Sequence, residues 1–287
     1  MSEAEYEIPS HRLPKGFAEN VERVPDAPAT PRPAATIVLV RQGNSGPEVL
    51  LLKRNRTVGF VPGAYVFPGG RVDAEDASPE LAALLYGVSP AEAAQRLGVE
   101  ESDDGALAYY VAALREAFEE TGIMIGSTPN GDPLPPAAAD DSVRGVLTAL
   151  HRGERTFAEA VKELDVTLDG LAVEYIAHWV TPRAEPRRYD TRFFVAVVPD
   201  GTEALPDGGE ITQAVWLSPE AALARNEAGS LPMIFPTIKT IQSLCGFESV
   251  LRLRDSFAGR EIPTILPRLV RTPTGVGIQL PEEDGES

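Results

Sequence analysis

The chain has 287 residues, 43% of them hydrophobic, which is enough to bury a sizeable core as one large domain or two small ones. Its 26 basic and 43 acidic residues give a formal charge of −17, which argues against a general nucleic-acid binder and against an anionic membrane surface, both of which reward a basic patch. The single cysteine, Cys245, excludes an internal disulfide framework and a cysteine zinc site; with neither a leader pattern nor an 18-residue apolar run, the expected compartment is the cytoplasm.

Residues 1–33, ending in "VPDAPATPRP", carry no sustained periodicity and read as a partly disordered arm, so folded structure is expected from Ala34. "AATIVLVRQG" and "PEVLLLKRN", separated by "GNSG", predict two adjacent strands joined as a hairpin. In "FVPGAYVFPGGRVD" prolines and glycines surround one short strand, Tyr65 to Phe67, so the backbone there takes unusual angles or comes close to something. Residues 79 to 98 read as helical, with Ser89 as N-cap, Pro90 at the first helical position and Gly98 past the end. A long helix follows from Ala106 to Thr121, then helices near 140 to 152 and 156 to 164. "EYIAHWVTP" and "TRFFVAVVP" predict strands flanking the basic turn "RAEPRRYD"; "ITQAVWLSPEAALAR" predicts a strand, an N-cap at Ser218 and a helix. A helix from Phe235 to Cys245 and a strand-like tail complete the pattern of a single α/β sandwich over 34–245, with a C-terminal extension, 246–287, whose acidic end "PEEDGES" is expected to be disordered. Cys245 reads as a small buried residue and His178 as a satisfied core histidine.

The stretch "LREAFEETGI" concentrates Glu116, Glu119 and Glu120 beside Arg115. At about 100° per residue the three carboxylates share one ~100° arc, opposite Leu107, Val111, Leu114 and Phe118, which form the expected buried face. They sit in the last two turns, where the helix dipole opposes negative charge, and no lysine stands four residues on. Ala112 and Ala113 floor the same face, so something is meant to approach it. Crowded, uncompensated carboxylates suit a hard divalent cation, Mg²⁺ or Mn²⁺, and so a metal-dependent phosphate chemistry, with Arg115 orienting one ligand by a bidentate pair.

"FPGGRVD" (Phe67 to Asp73) followed by "REAFEETGI" (Arg115 to Ile123) resembles the two halves of the Nudix box. Gly70, Arg115, Glu116, Glu119, Glu120, Gly122 and Ile123 match by type. The sixth residue after Gly70 is Asp76 where the box has Glu, and 38 residues (Ala77 to Leu114) stand where it has seven. "EVLLLKR", "GFVPGAYVFPGG", "WVTPRAEPRRYDTRFFVA" and "WLSPEAAL" are similar to the interrupted-box branch of the Nudix hydrolases, which includes the peroxisomal coenzyme A diphosphatase of animals. The resemblance implies a Nudix α/β/α sandwich with a mixed sheet and a helical insertion at about 77–105. The ending "GES" is not a peroxisomal address.

What the resemblance implies is a diphosphatase acting on a nucleoside diphosphate derivative, with Glu116, Glu119 and Glu120 as ligands of Mg²⁺ or Mn²⁺ and coenzyme A or acyl-CoA as substrate. Glu210, six residues before Trp216, is a candidate metal ligand or proton acceptor, or a surface glutamate at a strand edge. Gly69, Gly70, Arg54, Arg56, Arg187 and Arg188 are candidate substrate contacts. Asp76 either replaces the missing first glutamate or is a loop acid. The implied partner is a small-molecule nucleotide, with no nucleic acid and no membrane; a homodimer is compatible. Competing readings are an ADP-ribose or NADH pyrophosphatase and a non-catalytic nucleotide sensor, though sensors usually lose the paired glutamates.

Overall fold

The structure, a computed structural model, describes residues 5–9, 21, 27–55, 62–99 and 105–281. Arg56, most of the expected N-terminal arm and the acidic end at 282–287 lie outside the described residues. Contacts divide the chain into two compact units. The larger takes Ala34–Ile176 and Arg192–Glu261; the smaller takes Met1–Pro33, Ala177–Thr191 and Ile262–Ser287.

The larger unit is built on a sheet whose strands read as predicted. β2 (Arg32–Gly43) and β3 (Gly46–Arg54) form the expected antiparallel hairpin, numbered after β1 (Tyr6–Pro9) of the smaller unit. Two short strands extend the pairing, β4 (Tyr65–Val66) on β3 and β5 (Gly69–Arg71) on β2. β9 (Val173–Val180), β10 (Tyr189–Val197) and β11 (Ile211–Leu217) complete the order β11-β3-β2-β10-β9. Near-continuous apolar runs in β2 and β3 are explained by burial on both faces: Val38, Leu39, Val40, Leu50 and Leu51 have no exposed surface.

The region 79 to 98, read in the sequence as helical throughout, divides into two helices, α1 (Pro79–Leu84) and α2 (Pro90–Leu97), on either side of a two-residue strand, β6 (Leu85–Tyr86). α2 is delimited as its sequence requires, by a Ser89–Glu92 capping box, Pro90 in the first turn and Gly98 at φ 62°. β6 pairs with β8 (Thr167–Asp169), which also pairs with β7 (Gly126–Ser127). α3 (Ala106–Thr121) ends at Gly122, whose φ of 68° is the left-handed cap. α4 (Asp141–His151), α5 (Phe157–Glu163), α6 (Pro219–Glu227), α7 (Phe235–Ser243) and α8 (Val250–Asp255) follow. α3 lays its apolar side on the sheet, with the Tyr110 ring 4.9 Å from Phe194, itself 5.8 Å from Tyr175.

In the smaller unit β12 (Thr264–Ile265) runs parallel to the end of β9 at His178 and Trp179. His178 is the satisfied core histidine expected: its Nε2–H donates to Asp190 Oδ1 (2.5 Å) and its Nδ1 accepts from the Thr264 hydroxyl (2.9 Å). β13 (Arg268–Arg271) and β14 (Gly275–Gln279) form a hairpin, and β1 pairs on the other edge of β14. Residues 6–9, read in the sequence as part of an arm, are therefore a strand; a pairing across some 270 residues of chain leaves no local signal. Cys245 is half-buried just past α7, with Sγ directed at the Ile241 carbonyl (3.5 Å); burial pushes its thiol up, away from the reactive thiolate.

Candidate active site

α3 is not the two-faced helix that its periodicity predicts. Its acidic side is covered as well: α3 packs against β5, against the 3₁₀ turn Ala74–Ala77 and against α2, and Ala112 and Ala113 have no exposed surface. The side chains of Glu116 and Glu119 keep only 13% and 28% of their surface exposed.

Gly69 and Gly70 are required here for space. A Cβ on Gly70 would collide with the Glu116 carboxylate, and one on Gly69 would come within 2.7 Å of the Ala35 carbonyl. Neither Gly69 nor Gly70 has positive φ, and both show the close approach expected of this stretch; its unusual angle falls at Gly63, φ 75°. The close fit lets the Gly69 N–H donate to Glu120 Oε2 at 3.2 Å.

Arg115 organises the other two carboxylates. Its bidentate partner is Asp76, through Nε to Oδ1 (2.8 Å) and Nη2 to Oδ2 (3.0 Å), where the sequence reading gave that geometry to a metal-ligand glutamate. Nη1 donates singly to Glu116 (2.8 Å) and Glu119 (2.9 Å), and Nη2 also to the Arg71 carbonyl (3.0 Å). The Asp76 side chain has no exposed surface and also accepts from the Asp73 N–H (2.8 Å). It is thus a buried acid that anchors the arginine and ties the start of the insertion to the helix.

One guanidinium divided among three carboxylates does not neutralise the site. A paired carboxylate ordinarily titrates low, but burial lifts Glu116 to about 7, with Arg115 opposing and Glu119 reinforcing. Glu119 is raised for the same reason, and Glu120 well above the ordinary range by burial and by Glu116, with only the Gly69 amide bond and Arg54 opposing. Burial opposes the charge on Arg115 too, yet the bond to Asp76 and the fields of Glu116 and Glu119 hold its pKa above the usual value.

The sign of the resulting pH dependence is fixed. Below the unfolded value of 4.5 Glu116 is protonated in both states; between there and about 7 the folded state keeps a proton that the unfolded state has lost. Stability is therefore lost as pH rises across that window, on the order of 3 kcal/mol for this group in metal-free buffer. Glu116→Gln removes the dependence. Denaturant unfolding in chelator should show the variant gaining on the parent by about that amount between pH 4.5 and 7.5; parallel curves would contradict it.

Two more predicted residues join the cluster. Arg54, at the end of β3, is ion-paired with Glu210, and both contribute to the field at Glu120. Glu210 is half exposed, so its carboxylate stands at the open rim. Sequence reasoning missed His151, whose Nε2–H donates to the Glu119 carbonyl at 2.7 Å and caps one of the last free carbonyls of α3. Arg187 and Arg188 belong to the segment joining β9 to β10 in the smaller unit. Arg187 is exposed; Arg188 is buried and donates to the carbonyls of Thr181 (3.0 Å) and Ala29 (2.8 Å), so it clamps main chain rather than presenting a free fork to phosphate.

Among the described residues no group of three or more His, Cys, Asp or Glu side chains is arranged to enclose a metal ion; Arg115 and the Gly69 amide bond oxygens of the three glutamates. An apolar cavity of about 540 Å³ lies beyond the end of α3, lined by Ile123, Met124, Pro133, Pro136 and Val198 among others; none of the α3 carboxylates lines it. No helix among the described residues is long and apolar enough to cross a membrane.

The acyl-coenzyme A diphosphatase NUDT19 of Homo sapiens is 29% identical over 270 residues, spanning 83% of this chain and 72% of that protein, and the putative nudix hydrolase 7 of Caenorhabditis elegans is 27% identical over 74% and 60%. The crystal structure of a NUDIX hydrolase from Alicyclobacillus acidocaldarius is 31% identical, with a TM-score of 0.66 over 80% of this chain and 97% of that one. The family pattern described as the NUDT19 Nudix domain matches residues 29–244, most of the larger unit's span included. With the box carboxylates, their arginine and the glycine turn assembled across the insertion, the chain is a Nudix hydrolase of the NUDT19 family.

Proposed function

We propose that the protein is a divalent-metal-dependent diphosphatase of coenzyme A or acyl-CoA. The observation that carries the reading is the set of three partly buried carboxylates on one face of α3, all raised by desolvation, with Glu116 and Glu119 sharing Arg115 and Glu120 held by the Gly69 amide. Such a set favours either protons or a cation, and its oxygen donors fit a hard ion. Glu116, Glu119 and Glu120 would hold Mg²⁺ or Mn²⁺. When bound, the ion would polarise the diphosphate and acidify the attacking water.

The chain's own residues supply the rest. Glu210, at the open rim, is the candidate proton acceptor, and Arg54 beside it can pass from the Glu210 carboxylate to a phosphate oxygen of like charge. Gly69 and Gly70 let the β5 backbone close on Glu116 and Glu120 without a side chain between. Arg187 is a candidate phosphate contact on its exposure alone. The choice of coenzyme A follows the name of the human relative, and the cytoplasm, on the single cysteine, is the compartment that goes with this reading.

Purified protein with Mn²⁺ should cleave coenzyme A and acyl-CoA to the phosphopantetheine half and adenosine 3′,5′-bisphosphate. Turnover should exceed that of ADP-ribose and NADH by about tenfold or more, equivalent to ~1.4 kcal/mol in the barrier. Cleavage of ADP-ribose or NADH alone would replace coenzyme A as the substrate.

A further inference from the structure

The loop between β10 and β11 that carries Glu210 is held by a side chain of its own. Asp207 Oδ1 accepts from the N–H groups of Gly209 (3.1 Å) and Ile211 (2.8 Å), and its Oδ2 from the N–H of Glu210 (3.1 Å). Gly208, at φ 76°, turns the chain back so that its own N–H reaches the Ile211 carbonyl (3.1 Å). Just past the end of β3, the Asn55 N–H donates to the Glu210 carbonyl (2.8 Å) and Asn55 Nδ2 to the Gly209 carbonyl (3.0 Å). Both main-chain groups of Glu210 are thereby fixed, although residues 207–210 are all exposed.

An exposed loop gains nothing from burial, and its conformational entropy would let the Glu210 carboxylate wander. Another acid three residues from Glu210, in a chain of net charge −17, adds repulsion. A neutral turn residue such as Asn would accept with one oxygen only; a carboxylate accepts three N–H groups with charge-assisted bonds, about twice as strong as neutral ones. The restraint converges on the residue whose side chain meets Arg54 and whose field reaches Glu120.

We infer that Asp207 is a positioning residue for the hydrolysis: through the main chain of Gly209 to Ile211 it holds the Glu210 carboxylate at Arg54, on the rim beside Glu120. This rests on Glu210 being the proton acceptor of the proposed reaction. Asp207 touches no reacting atom, so its effect must pass wholly through Glu210.

Four variants of the full chain separate the two roles: Glu210→Gln, Asp207→Ala, Asp207→Asn and the double variant Asp207→Ala with Glu210→Gln. They are assayed with coenzyme A and Mn²⁺ and by amide hydrogen exchange at Gly209, Glu210 and Ile211. Glu210→Gln should lower kcat by about a hundredfold, the size of a lost acid–base group. Asp207→Ala should lower kcat by about tenfold with KM little changed, and Asp207→Asn by less. The double variant should match Glu210→Gln alone, since nothing remains to position. Exchange at the three amides should quicken by about tenfold or more in Asp207→Ala while the melting temperature holds. Asp207 is ruled out of this role if kcat survives its loss while Glu210→Gln is impaired, or if the two losses multiply in the double variant. Unaltered amide exchange rules it out whatever the substrate. Full turnover by Glu210→Gln is the distinct result that removes the role of Glu210 itself.

Discussion

Glu120→Gln is expected to lower metal-dependent turnover by roughly a thousandfold, ~4 kcal/mol of transition-state stabilisation, while leaving the fold intact. The substitution keeps the shape, and the amide oxygen can still accept from the Gly69 N–H. What it removes is the charge, in the position where burial and Glu116 already push the carboxyl well above its usual range. Metal-free protein should therefore gain stability at neutral pH, read as a higher melting temperature, because burial and like charges at the negative end of a helix oppose the carboxylate. Added Mn²⁺ should raise the melting temperature of the parent and much less that of the variant, since an ion that binds only the folded state stabilises it by mass action. Glu119→Gln should behave alike, with a smaller gain because Glu119 keeps an Arg115 contact that Glu120 lacks. Full Mn²⁺-dependent turnover by Glu120→Gln would sink the metal-site reading.

The helix and its acids were legible in the sequence because both are local: a 3.6-residue period needs only neighbours, and Gly122 marks its own end. The capped helix of the insertion was legible for the same reason. The arrangement of charge was not. Arg115 looks, in sequence, like the partner of its adjacent glutamates; its strongest partner is Asp76, 39 residues earlier, reached only when the 3₁₀ turn docks on α3. No periodicity reports that contact. In the smaller unit the strands of the tail, β13 and β14, were legible, but the partner on the other edge of β14 was not, since β1 comes from the far end of the chain. Arg188 shows the limit of reading type from sequence, for an arginine in a basic turn proves to be buried on two carbonyls. Asp207 did carry a signal: an aspartate ahead of two glycines is a side-chain turn, and here it precedes the glutamate that the spacing to Trp216 had singled out.

Arg115→Met should be the most destabilising single change in the larger unit's site. The guanidinium is buried, and five of its contacts fall on Asp76, Glu116, Glu119 and the Arg71 carbonyl. Methionine fills much of the stem's volume but leaves Asp76, whose side chain is wholly buried, without its counter-charge. Breaking a buried pair from one side costs about 3–5 kcal/mol, which corresponds to a fall of roughly 10 °C or more in melting temperature. Arg115→Lys should recover only part of that loss, because one ammonium cannot make the bidentate bond to Asp76 and reach both glutamates as well. Adding Asp76→Asn to Arg115→Met separates lost packing from stranded charge. If the penalty is electrostatic, the double variant is more stable than Arg115→Met alone, although it carries one substitution more. It should stay inactive, since Glu116 and Glu119 have lost the donor that aims them. A single Arg115→Met within about 1 kcal/mol of the parent would show that Asp76 finds solvent or another cation, and the insertion would then be joined to the helix by packing alone.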